Sequence, residues 1–158
     1  MHMPPPPFQS FLDSHRDEVL RFLRATAGPQ DAEDCFQETF LSAMRAYPRL
    51  RDGSNLRGWI LTIAHRKALD AHRARGRRPL PVEDPGEGPE GAVEVGEDEA
   101  ELWALVRELP ARQRAAVSLR YVCDLSHAEI GGLIGCSEEA SRRSVHEGLN
   151  RLRGALAA

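Results

Sequence analysis

The chain has 158 residues, 41% hydrophobic and 6% aromatic, with a formal charge of −3, which allows one medium domain or two small ones but not a large two-domain enzyme. No run approaches the ~18 consecutive apolar residues of a membrane span, and the N-terminus lacks the basic, apolar and small-residue succession of an export signal. The expectation is a cytoplasmic protein with no membrane insertion. Cys35, Cys123 and Cys136 are far apart and odd in number, which argues against a disulfide framework. His127 and His146 fall near the last two, yet the spacing matches no standard zinc ligand pair; buried structural cysteines are expected, with no metal and no cofactor.

The net charge conceals a sorting by segment. Residues 1–78 carry 13 basic and 9 acidic side chains, residues 79–101 carry 9 acidic and no basic ones, and residues 102–158 carry 8 basic and 6 acidic. Two mildly basic blocks therefore flank an acidic connector.

Residues 1–7 are short and proline-rich and read as a disordered tail. Phe8, Phe11, Leu12, Val19, Phe22 and Leu23 then recur at helical spacing, ending before Gly28-Pro29. A second helix, started by Asp31 and stopped at Pro48, has an apolar face of Ala32, Cys35, Phe36, Thr39, Phe40, Ala43, Met44 and Tyr47; its opposite face carries Glu33, Asp34, Gln37, Glu38 and Ser42. After the polar loop Arg51-Asp52-Gly53-Ser54-Asn55 a third helix begins, capped by Ser54 or Asn55. Leu56, Trp59, Ile60, Ile63 and Ala64 form its stripe, and His65, Arg66, Lys67, His72, Arg73, Arg75, Arg77 and Arg78 load its later half. About 20 residues make a rod of roughly 30 Å with a cationic end.

Residues 79–97 are Pro, Gly and acid with few large apolar side chains, and read as a flexible acidic linker. Beyond it, Leu102, Leu105, Val106 and Leu109 mark a short helix and Pro110 opens the next. Ser126-His127-Ala128-Glu129 has the form of a capping box, in which Ser and Glu side chains each satisfy a free backbone N–H. The helix it starts breaks at Gly135 and restarts at Ser137, another good cap. Short helix, glycine turn and longer helix form a helix-turn-helix pattern, whose second helix turns Arg142, Arg143 and His146 outward and Val145, Leu149 and Leu152 inward. The fold class expected is all-α, with two small helical domains at 8–78 and 98–158.

No catalytic residue is assigned and no enzyme is expected: the chain has no glycine-rich phosphate loop, no zinc-protease helix and no nucleophile elbow. Glu33, Asp34 and Glu38 could bind a metal or do acid–base work, but a solvated helix face explains the same spacing. The basic end of the third helix is either a soluble surface or a phosphate contact. Trp59 is either partly core or a base-stacking surface, and His65 and His72 read as surface polarity.

Asp31-Ala32-Glu33-Asp34 with Gln37-Glu38-Thr39-Phe40, then Gly58-Trp59-Ile60, Ile63-Ala64 and Ala68-Leu69-Asp70, resembles region 2 of bacterial sigma factors. Leu109-Pro110 with Arg112-Gln113-Arg114, Leu125-Ser126, Glu129-Ile130 and Leu152-Arg153 resembles region 4. The likeness spans nearly the whole chain outside tail and linker, and is to the compact extracytoplasmic-function group. It implies a partner in core RNA polymerase, bound through Asp34, Gln37, Glu38 and Leu41. It further implies minus-10 promoter DNA on Arg51, Asp52, Gly53, Ser54, Asn55, Trp59, Arg66, Lys67, Arg73, Arg75, Arg77 and Arg78, with a flipped-out base taken by the loop. Minus-35 DNA would lie on Ser126, Ser137, Glu138, Arg142, Arg143 and His146, and an anti-sigma factor would cover both domains.

Three positions depart from the family pattern: Arg66 where asparagine is common, Ser141 in place of an apolar residue, and Glu147 in place of a basic one. The last two weaken packing and charge in the recognition helix. A stand-alone helix-turn-helix regulator, dimerised through its first domain, and a sigma-like decoy are the alternative readings.

Overall fold

The computed structural model describes residues 4–77 and 96–157. The linker expected at 79–97 falls outside these up to residue 95, as do Arg78 and the first three residues of the tail. Seven α-helices occur among the described residues: α1 Phe8–Ala27, α2 Ala32–Ala46, α3 Leu56–Arg77, α4 Glu97–Arg107, α5 Ala111–Tyr121, α6 His127–Ile134 and α7 Glu138–Ala157. The all-α class is as expected from the sequence. Glu97, counted with the linker, is instead the first residue of α4, whose acidic first turn Glu97, Asp98 and Glu99 suits the positive end of a helix dipole.

α1, α2 and α3 pack pairwise against one another. Their stripes interlock because the buried positions of α1 (Phe11, Val19, Phe22, Leu23) face Cys35, Phe40 and Ala43 of α2 and Ile60, Leu61, Ala64 and Ala68 of α3. Phe11, 1% exposed, sits within aromatic contact of Phe8, Phe40, Tyr47 and Trp59. Burying such a side chain stabilises by about 1.5–3 kcal/mol. The Tyr47 hydroxyl donates to the carbonyl of Pro6, so the end of the proline-rich tail is tied to the first module. α2 gives way to a 3-10 turn, Tyr47–Arg49, with Pro48 inside it, as proline's missing N–H requires.

In the second module α7 crosses α5 and α6. The crossing with α5 is close because position 148 is glycine: a Cβ there would lie 2.7 Å from Val117 Cγ2. Asp124, at φ 54°, takes the left-handed conformation that Asp tolerates better than most residues, and Arg120 donates to the Leu125 carbonyl at 2.9 Å to fasten the same turn.

The two modules are not separate bodies. One hydrophobic cluster runs from Phe11, Ile60 and Leu61 through to Leu119, Cys123, Leu125 and Ile130, and α1 and α3 touch α4, α5 and α6. The sequence suggests two domains on a tether; here their apolar stripes meet.

Candidate nucleic-acid interface

On α2, Asp34, Gln37, Glu38 and Leu41 recur every three or four residues and all face solvent, while Cys35, Thr39, Phe40 and Ala43 between them are buried. Met44, assigned from periodicity to the apolar face, is 51% exposed, and Leu41 is 48% exposed. One turn apart, they form an apolar pair inside an acidic face. An exposed pair of this kind suits a protein partner better than water.

The loop before α3 is a tight turn: Gly53 has φ 77°, and Ser54 Oγ donates back to the Arg51 carbonyl at 2.6 Å. Asn55 is the helix cap, its Oδ1 accepting from the Gly58 N–H at 3.1 Å. That leaves Arg51, Asp52 and Gly53 projecting into solvent. Trp59 is half-buried; its ring lies 5.7 Å from that of Phe11 and 6.3 Å from that of Tyr47, and it also lines a cavity of about 500 Å³ with Ser54 and Asn55. Trp59 is thus partly core, and the rest of its surface borders this cavity.

Along α3, Arg66 and Arg73 are exposed and Lys67 is half-buried. Arg75 differs, because its Nε pairs with Asp31 Oδ2 at 2.7 Å and its guanidinium also donates to Gln30. It pins α3 to the start of α2. Asp31 therefore serves that pair and makes no side-chain capping bond. Arg77 ends α3, and Arg78 lies outside the described residues.

The helix-turn-helix is built as its caps demand. Ser126 Oγ accepts from the Glu129 N–H and Glu129 Oε1 from the Ser126 N–H, both at 3.1 Å; these bonds hold the exposed Glu129 carboxyl below its usual range. Gly135 takes the left-handed conformation at φ 82°, and Ser137 Oγ caps α7 through the Ala140 N–H at 3.1 Å. Arg142, Arg143 and His146 then face solvent while Val145 and Leu152 are buried and Leu149 half-buried. Glu138 pairs with Arg142 at 3.3 Å, and His146 lies 3.2 Å from Asn150. Ser141 is fully buried and its hydroxyl has no partner. Glu147 is exposed and meets Gln113 at 3.4 Å.

Three side chains without a special role in the sequence, Arg57, Arg114 and His72, turn out to join the modules. Arg57, on α3, holds Glu18 through two bonds of 2.8 and 2.9 Å and donates to the carbonyl of Cys123 in the second module. Arg114, on α5 and 3% exposed, reaches the carbonyls of Arg107 and Leu109 at 3.4 and 3.3 Å and lies 3.1 Å from His72 Nε2. His65 is half-buried, and burial, then the charges of Arg114 and Arg66, lower its pKa to about 4. His72 is lowered by burial, Arg114 and Arg75. A pattern confined to one helix cannot reveal neighbours contributed by another module; a histidine directly beside the α3 stripe was the available hint.

Burial pushes the thiol of Cys35 up to about 11 and that of Cys123 up to about 12, leaving both protonated and unreactive at neutral pH. Among the described residues no cluster of three or more His, Cys, Asp or Glu could hold a metal, and no helix is long and apolar enough to cross a membrane.

Two family models match this chain in order: Sigma-70 region 2 over residues 11–78 and Sigma-70, region 4 over residues 99–152. The ECF RNA polymerase sigma factor SigD of Mycobacterium tuberculosis is 34% identical across 93% of the chain and 76% of its own length. SigE of Mycolicibacterium smegmatis, also named an ECF RNA polymerase sigma factor, is 34% identical across 96% of the chain and 62% of its own length. Among solved structures, the sigma factor RpoE bound to the anti-sigma factor NepR from Bartonella quintana shares the fold with a TM-score of 0.75 and 22% identity, covering 96% of this chain and 97% of that one. CnrH in complex with the cytosolic domain of CnrY does so with a TM-score of 0.73 and 19% identity, covering 95% and 87%.

Proposed function

The chain belongs to the extracytoplasmic-function group of RNA polymerase sigma factors, and from that premise we propose which of its surfaces carry each step of initiation. It binds core RNA polymerase and directs promoter-specific transcription through minus-35 and minus-10 DNA. Polymerase docks on the outer face of α2, where Asp34, Gln37 and Glu38 surround the exposed Leu41. The loop of Arg51, Asp52, Gly53, Ser54 and Asn55 receives an unstacked base, with Trp59 on the wall of the adjoining cavity. Arg66, Lys67, Arg73, Arg77 and Arg78 hold phosphates. Arg75 contributes mainly by fixing α3, since its charge is already engaged by Asp31.

The minus-35 element is read by α7. The single observation supporting this most strongly is that Arg142, Arg143 and His146 share the outer face of a helix entered from a capped, glycine-turned helix-turn-helix. Ser126, Ser137 and Glu138 sit at the helix starts, where backbone N–H groups and short side chains meet phosphates. Glu138 restrains Arg142 rather than contacting bases.

Strand opening here is capture, with no bond made or broken by a residue of this chain. Each stacked step costs ~1.4 kcal/mol and extruding a base costs a few kcal/mol more. One base pocket and a few phosphate contacts offset this only when polymerase holds the duplex, so promoter binding by the free chain is weak. The work is cytoplasmic, beside polymerase and DNA. An anti-sigma factor is a further partner, supported by the two complexes that share this fold. Likeness to sigma factors across both modules disfavours a stand-alone regulator or a decoy.

Permanganate probing of holoenzyme on a promoter it serves tests the assignment. Asn55→Ala with Trp59→Ala is expected to remove reactive minus-10 thymines while minus-35 protection persists. Unchanged minus-10 reactivity would overturn the assignment of the loop.

A further inference from the structure

A second cavity, of about 590 Å³, lies on none of the surfaces assigned above to polymerase or DNA. Its volume is that of a small-molecule site. α1 and α4 touch beside it. Ala25 of α1 and Ala100 of α4 both line it, and side chains this small leave a slot between the helices.

Two aromatic rings stand in its walls. Trp103 is half-buried because part of its ring packs on the cluster of Val106, Leu109, Val117 and Leu152, which fixes the remainder as a platform. Tyr121, at the end of α5, is 59% exposed and lines the same cavity. Aromatic faces left open in this way can stack on a planar ring.

The rest of the lining is mainly cationic. Arg21 and Arg24 of α1 and Arg107 of α4 supply three guanidinium groups. Ion pairs among the described residues engage Arg57, Arg75 and Arg142 instead, so the three cavity arginines have no carboxylate partner among them. Arg107 is held in place by its stem. The stem lies against Gly28, where a Cβ would come within 3.2 Å of Arg107 Cδ and where φ is 91°, so glycine is needed there twice over. Burial, then the charge of Arg75, lower the pKa of this guanidinium. A partly desolvated cation with no counter-charge gains most from a hydrogen-bonding anion, and phosphate matches the guanidinium fork.

Glu99 gives the slot a polarity. It also lines the cavity, two turns before Arg107 on α4 and so about 12 Å from it along the helix at about 1.5 Å per residue. An acidic peptide or a nucleic-acid backbone laid along the slot would carry negative charge onto that carboxylate. A ligand with its charge at one end and hydroxyl groups at the other would not.

We propose that this cavity binds a nucleoside di- or triphosphate, with its base stacked on Trp103 and Tyr121, its phosphates on Arg24 and Arg107 with Arg21 beside them, and its ribose hydroxyls turned to Glu99. The site shares no residue with the surfaces proposed for polymerase and promoter DNA, so it does not depend on that assignment.

Isothermal titration calorimetry on the full chain tests it, with ADP, GDP, adenosine, inorganic pyrophosphate and a short polyglutamate peptide as probes. Saturable binding is expected for at least one of the two nucleotides, with adenosine and pyrophosphate each weaker by about tenfold or more, since each keeps only part of the contacts. Arg107→Gln is expected to weaken nucleotide binding about tenfold, as loss of a charged hydrogen bond predicts. Tyr121→Ser is expected to weaken it about fivefold or more through lost stacking. Circular dichroism verifies that both variants fold. Arg16→Gln, exposed on α1 and outside the cavity, is expected to bind as the unaltered chain does, and bound nucleotide is expected to raise the melting temperature.

No binding of either nucleotide at millimolar concentration overturns the site. Pyrophosphate binding as tightly as the nucleotides, or an equal loss in Arg16→Gln, overturns it in favour of a general anion patch. Polyglutamate binding more tightly than either nucleotide overturns it in favour of an acidic protein segment. Unchanged affinity in both folded cavity variants overturns the location.

Discussion

Gly131 and Gly132 stand side by side in α6, and replacing each by alanine is expected to move stability in opposite directions. Helix propensity alone favours both changes by about 0.8–1.0 kcal/mol. At Gly132 a Cβ would meet nothing within 4 Å, so that gain is expected in full. At Gly131 the new Cβ would lie 2.5 Å from the carbonyl oxygen of Cys136 and 3.1 Å from the backbone of Ser137. These are backbone atoms, and the turn carrying them is pinned because Gly135 N–H and Cys136 N–H both donate to the Gly131 carbonyl at 2.9 Å. Overpacking of this kind costs about 1–3 kcal/mol, and a rigid neighbour places it towards the upper end. The net expectation is about 1–2 kcal/mol of destabilisation for Gly131→Ala against about 1 kcal/mol of stabilisation for Gly132→Ala. Urea denaturation with two-state analysis reads both. A Gly131→Ala protein as stable as Gly132→Ala would refute the claim that a side chain at residue 131 clashes with the pinned Cys136–Ser137 turn.

Ser141→Ala is expected to stabilise by about 1–3 kcal/mol, because it removes a buried hydroxyl with no partner; thermal melting reads it as a rise, and a fall would show that the hydroxyl is bonded. Folding stability is expected to be pH-dependent through His65 and His72. Burial and Arg114, with Arg66 beside the first and Arg75 beside the second, lower both from 6.5. Their contribution is complete above about pH 6.5 and declines as pH falls below it, the His65 part being lost as pH approaches about 4. Urea midpoints that decline from pH 7.5 to 5 in the parent, and less in His65→Gln, are the expected outcome; a rise on acidification contradicts the sign. Charge reversal at Asp34 and Glu38 is expected to weaken association with core polymerase in an anisotropy titration at least tenfold, as loss of about 1.4 kcal/mol would, with an unchanged melting curve. Replacing Arg142 and Arg143 by alanine is expected to flatten the salt dependence of minus-35 binding by roughly 0.9 per lost phosphate contact, and an unaltered slope would place them off the DNA.

Local features were legible in the sequence because local chemistry writes them. Ser126 and Glu129 sit three residues apart because a capping box requires it, and Gly135 marks the turn because a left-handed residue is needed there. The acidic face of α2 follows from periodicity, as does the outward placement of Arg142, Arg143 and His146. The docking of one module on the other was not legible. Arg57 carries no local signal, Arg114 only its place in the region 4 motif, and His65 reads as surface polarity, because their partners lie 39 or more residues away in sequence or in another module. Arg75 was counted with the phosphate-binding cations, since nothing local reveals its pairing with Asp31 across 44 positions. Close packing at Gly131 and Gly148 likewise depends on how helices cross, which hydrophobic spacing within one helix does not encode.

Mapping RNA 5′ ends made by purified core polymerase on a genomic template, with and without the chain, tests the central claim most directly. The account predicts discrete start sites that appear only when the chain is present, each preceded by a shared pair of upstream elements. Start sites identical in the two reactions would contradict it.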